Sequence, residues 1–185
     1  MNTPEFRRYN ATQARELRAV VEAIFRRSYT DAIESGDPFD TPEEFMRRFD
    51  SYTGGSGFDL VIAYIDGEPV GQTWGWPLGP HNAWWGGLTL DDDDPAEFTA
   101  EDGTRTFALS EIMVCQEWTG RGLARALHDE LLSGRREQRA TLLVEPENER
   151  AYARYRKWGW SRVGTLTPGW PDAPTFDVLI RSLPV

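Results

Sequence analysis

Val114-Cys115-Gln116-Glu117-Trp118-Thr119-Gly120-Arg121-Gly122-Leu123-Ala124-Arg125 is the stretch on which the reading of this chain turns. It follows a β-rich run, Phe107-Ala108-Leu109-Ser110-Glu111-Ile112-Met113-Val114, and precedes an apolar helical stripe, Leu123, Leu127 and Leu131. The spacing predicts a strand, a glycine-rich turn and a helix running to about Glu137. At such a turn backbone N–H groups converge, and the helix dipole adds positive potential, a geometry suited to phosphate or pyrophosphate. Gly122 would let the main chain approach an anion closely. Arg121 and Arg125 would add charge. A tight turn with ordinary solvated arginines is the bland alternative, and the turn alone does not decide between them.

The surrounding chain reads as a mixed α/β domain. Glu5 to Tyr9 can form an edge strand. Thr12 to Tyr29 carries Leu17, Val20, Val21, Ile24 and Phe25 on one helical face. Thr41-Pro42-Glu43-Glu44 has the threonine, proline and acids of a helix start, and the helix is expected to reach Tyr52. Leu60–Ile65 and Pro69–Trp74 flank Asp66-Gly67, which predicts a hairpin. Further strands are expected at 140–145, 160–166 and 176–183, with a helix from Glu149 to Trp158 between the first two. Residues 78–106 form a long connection between central strands. It holds Asp91, Asp92, Asp93, Asp94, Glu97, Glu101 and Asp102, no basic residue before Arg105, and Trp84-Trp85. No repeat or linker interrupts residues 1–185, so one domain is expected.

Composition removes several function classes. The 185 residues carry 20 Lys+Arg against 30 Asp+Glu, a formal charge of −10. That argues against a general nucleic-acid binder, whose partner needs a basic surface. Lys157 is the single lysine, and no glycine-rich turn precedes it, so a phosphate loop ending in Gly-Lys-Ser/Thr is absent. One cysteine, Cys115, allows no internal disulfide, and with His81 and His128 makes no zinc-ligand set. No metal is expected. No apolar run approaches the ~20 residues of a membrane span, and the first ten residues lack the apolar core of a signal peptide. The chain therefore reads as cytoplasmic, with no membrane partner. Eight tryptophans are left unexplained.

A second stretch runs Asn148-Glu149-Arg150-Ala151-Tyr152-Ala153-Arg154-Tyr155-Arg156-Lys157-Trp158-Gly159-Trp160. Ala151, Tyr155 and Trp158 share a helical face. Taken alone, Tyr155 reads as a core aromatic and Asn148 as a helix cap. Taken with the glycine turn, Val114-x5-Gly120-Arg121-Gly122-Leu123-Ala124 and Asn148-x2-Ala151-x3-Tyr155-x-Lys157-x-Gly159-Trp160 resemble the GNAT superfamily of acetyl-CoA-dependent N-acetyltransferases. The resemblance spans about two thirds of the chain, from the hairpin to the last strands.

The resemblance implies a centrally splayed, mixed sheet of about six to seven strands flanked by helices, the acyl-CoA N-acyltransferase fold. It implies acetyl-CoA as co-substrate and a primary amine of a small molecule or peptide as acceptor. The pyrophosphate would lie on Thr119, Gly120, Arg121, Gly122, Leu123 and Ala124, with Arg125 adding charge. Thr119 stands where the family has Arg or Gln, so one side-chain contact is lost while the backbone amides remain. Ile112, Met113 and Val114 would pair with the pantetheine arm, and Asn148 would contact the cofactor. Tyr155 would protonate the leaving thiolate. An N–H of the Ile112–Val114 strand would polarise the thioester carbonyl. The family fixes no single base. Glu111 is the nearest carboxylate in sequence, Glu145 is a further candidate, and a water relay is equally open. Strand alternation puts Glu111 and Ser110 on opposite faces without saying which lines the cleft. Dimers are common in the family, so a homodimer is admitted. A non-catalytic acyl-CoA-binding sensor of the same fold is the competing reading.

Two smaller features complete the expectation. The acids of 78–106 would form a rim that attracts a cationic amine, with Trp74, Trp76, Trp84 and Trp85 as an aromatic wall. The alternative is a solvated loop with tryptophans packed on the sheet. Cys115 invites a covalent acyl-enzyme, yet no histidine is placed in sequence to activate it, and a small buried residue is the simpler reading.

Overall fold

Asp66 (φ 52°) and Gly67 (φ 81°) both take left-handed backbone, which a two-residue hairpin turn of the mirror-image type requires. They join β2 (Asp59–Ile65) to β3 (Glu68–Pro77), with Leu60 opposite Trp74 and Ile62 opposite Gln72. Every residue of β2 is buried. This accounts for its unbroken apolar run, since a strand covered on both faces needs no polar alternation.

The computed structural model describes residues 2–185. Eight strands and seven α-helices are present among them, in two compact units. The first takes the chain up to Trp76 together with Ser110–Ser133. Here β1 (Glu5–Asn10) lies antiparallel on β2, and β3 neighbours the second half of β5 (Thr106–Val114). The helices are α1 (Ala11–Glu16), α2 (Arg18–Ser28), α3 (Thr30–Ser35), α4 (Pro42–Tyr52) and α6 (Leu123–Leu132). One apolar core joins Val21, Ile24 and Phe25 of α2, Phe45 and Phe49 of α4, and Trp74 and Met113 of the strands. Phe25 stacks on Phe45 at 3.9 Å, and Phe45, Phe49 and Phe58 all pack on Trp74 within 6.0 Å. At Gly71, α6 packs close on β3: a Cβ there would lie 3.0 Å from the Leu127 side chain.

The second unit comprises Pro77–Leu109 and Gly134–Val185. The first half of β5 runs parallel to β6 (Arg139–Val144) over three residue pairs, Thr106↔Arg139 to Ala108↔Thr141. Antiparallel pairs then join β6 to β8 (Phe176–Ser182), β8 to β7 (Ser161–Leu166) and β7 to β4 (Leu88–Leu90). The chain is thus mixed α/β with a mixed sheet, α5 (Pro95–Phe98) and α7 (Glu149–Lys157) completing its helices.

Three elements differ from the sequence reading. The single helix expected from Thr12 to Tyr29 is two helices that break at Leu17 (φ −94°, ψ 16°), with α3 following Tyr29. The Leu17 N–H is shared between the Gln13 and Ala14 carbonyls. A one-residue break hardly disturbs an apolar stripe, so periodicity does not register it. Helix α6 ends at Leu132 and not near Glu137, because Ser133 closes the last turn and Gly134 turns left-handed at φ 72°. Its neighbour Arg135 instead pairs with Glu137 and lies 4.0 Å over the Phe107 ring. Lastly, the 78–106 connection is not a loop throughout. It contains β4 and α5, which brings the strand count to eight.

Close backbone approach at two glycines makes β4 fit. A Cβ on Gly87 would lie 1.9 Å from the Thr167 carbonyl oxygen, and one on Gly164 would lie 2.2 Å from that of Thr89. Gly87 also has φ 83°. Gly87→Ala is expected to cost roughly 2 kcal/mol or more, several degrees in Tm. Gly86→Ala, whose Cβ would meet only Ala83 at 3.4 Å, should leave thermal unfolding nearly unchanged.

Candidate functional site

The glycine turn lies wholly within the first unit. Past Val114 the Cys115 N–H still bonds the Val70 carbonyl at 2.9 Å. A 3₁₀ turn over Gln116–Trp118 follows. Gly120 (φ 76°) and Gly122 (φ 80°) are both left-handed, and α6 starts at Leu123. No side chain caps that helix start. A Cβ built on either glycine meets nothing within 4 Å, so the turn is open at both positions. The first N–H groups of α6 have no intrahelical acceptor.

The side chains around the turn are partly committed. The Thr119 hydroxyl donates to the Gln116 carbonyl (2.9 Å), inside its own turn. Arg121 is exposed, 4.5 Å over the Trp118 ring, and donates to the Glu117 carbonyl at 3.4 Å. Arg125 pairs with Asp129 at 2.7 Å. Asp129 also receives the fully buried His128 at 2.7 Å. Burial opposes ionisation of Asp129, but Arg125 and His128 outweigh it and hold the carboxyl below its usual range. Arg27 ties Glu117 to Glu68, and so fastens the 3₁₀ turn to the hairpin.

Upstream of the turn, β5 uses alternate residues toward β3. The Glu111 carbonyl accepts from the Thr73 hydroxyl at 2.7 Å. The Met113 carbonyl lies on Gly71, and the Cys115 N–H bonds Val70. A strand residue points its N–H and C=O to the same side, and its neighbour points to the other. The backbone groups of Ile112 and Val114 therefore face away from β3, while those of Met113 face it. Of the three residues expected to pair with an extended arm, only Ile112 and Val114 offer their backbone to that edge.

The same alternation answers the question of faces. Met113 and Cys115 belong to the core under α2 and α4, and Glu111, two residues before Met113, shares their face. Its carboxyl is held at about 7, because burial raises it and Asp40 raises it further, while Arg48 of α4 pulls it down. Asp40 is itself raised by burial and by Asp37. Tyr52 is raised by burial and by the Glu111 charge. Around Glu111 the first unit thus gathers Asp40, Arg48, Tyr52 and, with its ring centroid 4.7 Å from that of Tyr52 and tilted by 31°, Trp76. Arg48 donates to the Phe39 carbonyl at 3.0 Å and lies 3.9 Å over the Phe39 ring. Cys115 is buried and its thiol is pushed up by that burial, which disfavours a nucleophilic thiolate.

In the second unit, Asn148 caps α7: its side-chain oxygen accepts from the Ala151 N–H at 3.2 Å. Tyr155 sits half-buried, edge-on to Trp158 (5.7 Å) and Trp160 (6.3 Å). Gly159 (φ 89°) ends the helix. Glu145, the other carboxylate considered as a base, is exposed just beyond β6.

The sequence model of the Acetyltransferase (GNAT) family matches residues 21–160. The chain belongs to this family. Among solved structures, an acetyltransferase from Thermus thermophilus is similar over 99% of this chain and 100% of its own, at 17% identity and TM-score 0.65. A PaiA N-acetyltransferase from Thermoplasma acidophilum in complex with coenzyme A is similar over 98% and 99%, at 12% identity and TM-score 0.55. A GNAT family acetyltransferase from Elizabethkingia anophelis with acetyl-CoA bound is similar over 74% and 82%, at 12% identity and TM-score 0.54. No curated protein matches the sequence. No helix among the described residues is long and apolar enough to cross a membrane.

In this GNAT chain the acids of 78–106 do not all form a rim. Glu101 is buried: one of its oxygens takes Thr106 (2.6 Å), Arg139 (3.2 Å) and the Trp85 indole (3.2 Å). Asp91 pairs with Arg162, and Asp94 and Asp102 cap local turns. Two of the four tryptophans leave the expected aromatic wall: Trp74 is sealed in the first unit's core, and Trp85 is buried against Phe98 under Arg139. Acid runs and tryptophan pairs look alike in sequence whether they face water or staple a connection, so only packing separates the two.

Sequence reading missed Asp40, Arg48, Tyr52 and Thr73. Arg48 and Tyr52 are four residues apart on one helix face, beside the apolar Phe45 and Phe49. The pattern marks that face, but not that Glu111, 59 positions after Tyr52, packs near it.

Proposed function

We propose that this GNAT acetyltransferase moves the acetyl group of acetyl-CoA directly to a primary amine of a small molecule or peptide. The observation that carries the reading is the place of Glu111: it lies on the strand that leads into the glycine turn, beside Arg48, Asp40 and Tyr52, and these surroundings push its carboxyl up to about 7. A free alkyl amine has a pKa near ~10 and arrives protonated. A base poised near the working pH is what removes that proton efficiently. The coenzyme A complex of one similar fold and the acetyl-CoA complex of another support the choice of co-substrate.

The residues present suit that co-substrate. The open side of Gly120 and Gly122, with the uncapped start of α6 behind it, offers N–H donors to a pyrophosphate. Ile112 and Val114 offer strand-edge backbone to an extended amide arm. Glu111 accepts the proton of the amine, directly or through water. The amine nitrogen then forms its bond to the thioester carbon, and the carbonyl electron pair moves to oxygen, where the Ile112 N–H stabilises it. Collapse breaks the C–S bond, the sulfur leaves with the pair and takes a proton, for which the family resemblance proposes Tyr155 as donor, and the nitrogen sheds its second proton to solvent to leave the neutral amide. Asn148 orders the start of the tyrosine's helix.

Two measurements bear on this. Mass spectrometry of a mixed amine library incubated with acetyl-CoA should find an N-acetylated product. Binding of acetyl-CoA with every amine left unmodified would favour a non-catalytic acyl-CoA module instead. Gly122→Ala places a side chain on left-handed backbone and on the open face of the turn. It should raise KM for acetyl-CoA about ten-fold or more with a smaller change in kcat.

A further inference from the structure

Thr73 stands out among the polar residues of the first unit. It is fully buried on β3, opposite Val61 of β2, and its hydroxyl donates to the Glu111 carbonyl at 2.7 Å. β3 and β5 are hydrogen-bonded neighbours, and a ladder ordinarily uses backbone groups alone. Here a side-chain donor from β3 adds its hold on the β5 carbonyl, on a hairpin whose β2 strand is buried throughout. The Glu111 C=O and the Ile112 N–H belong to one planar peptide and point in opposite directions. Fixing the carbonyl toward β3 therefore fixes the Ile112 N–H toward the opposite edge of β5. It also fixes the Cα from which the Glu111 side chain departs toward Asp40, Arg48 and Tyr52.

We infer that Thr73 is a positioning residue: through one hydrogen bond it orients both the Ile112 N–H and the Glu111 carboxyl for acyl transfer. The inference rests on the reaction proposed above. It assigns no contact with substrate to Thr73. Small misplacements of reacting groups cost large factors in rate, so one buried hydrogen bond on the shared peptide suffices. The hydroxyl is the working part. The methyl group only fills space, and a serine would serve.

The experiment compares wild type, Thr73→Val and Thr73→Ser in amine-dependent thiol release from acetyl-CoA across pH 5.5–9 (about the span needed to bracket the Glu111 titration). Thr73→Val keeps the shape and removes the donor. It should lower kcat about ten-fold or more, leave KM for acetyl-CoA within about two-fold, and move the ascending pH limb away from its wild-type position. Thr73→Ser should restore both kcat and the limb. If Thr73→Val fails to fold, Thr73→Ser and Thr73→Ala are read against each other in the same way. Equal kcat and an unmoved limb in Thr73→Val would overturn the inference. So would a loss of activity that merely tracks the folded fraction by circular dichroism. Absence of amine-dependent thiol release in wild type would instead strike at the proposed reaction.

Discussion

Glu111→Gln is expected to lower kcat by about 10²- to 10³-fold, the range in which a positioned general base contributes. It should also erase the ascending limb of kcat/KM. The direction follows from the titration. With its carboxyl held at about 7, Glu111 is protonated and idle at pH 5.5 and ionised at pH 8.5, so wild-type activity climbs between them. The glutamine cannot accept the proton at any pH, and its residual rate should be flat there. The stability of the fold moves the opposite way. The ordinary carboxyl value is 4.5, so between that and about 7 the folded chain holds a proton that the unfolded chain has lost. Wild-type stability therefore falls as pH rises through this window, then levels off. Glu111→Gln should not show the fall, and above pH 7 it should melt higher than wild type while being far less active. Thermal unfolding at pH 5 and pH 8 alongside the rate profile checks both. A variant that is both less stable and less active at pH 8 would point to a structural carboxyl.

Tyr155→Phe is expected to reduce kcat by about ten- to a hundred-fold with little change in KM for acetyl-CoA. The lower end of the general-acid range applies, because a thiol with a pKa near ~8.5 leaves more readily than an alkoxide would. Phenylalanine keeps the edge-on packing against Trp158 and Trp160, so the fold should survive and the rate loss should report the hydroxyl. Steady-state kinetics with saturating amine separates kcat from KM. An unchanged kcat would remove Tyr155 from proton transfer and leave it as a packing residue of α7.

The parts of this chain legible in sequence are those fixed locally. Asp66-Gly67 could only be a tight turn, and Thr41-Pro42 could only begin a helix. Gly120 and Gly122, between an apolar strand and an apolar stripe, could be read as a glycine-rich turn, and their left-handed backbone is what the structure adds. What was not legible depends on residues far apart in the chain. Nothing local says that Glu101 is buried with Thr106, Arg139 and Trp85 while Asp92 beside the same acid run is exposed. Nothing local says that β5 turns Glu111 toward α4. That follows from Met113 and Cys115 lying in the aromatic core, a fact of packing across residues 14–115. The break at Leu17 was hidden for a different reason, since a kink that preserves the apolar face leaves the periodicity intact.

The central claim is acetyl transfer to an amine, and its most direct test is thiol release from acetyl-CoA by the intact protein. The assay offers chemically diverse primary amines, one at a time, at pH 8. At least one amine should raise thiol release well above the amine-free rate, with the acetylated amine formed in equal amount. Tight acetyl-CoA binding with release no faster in any amine than without one would contradict it.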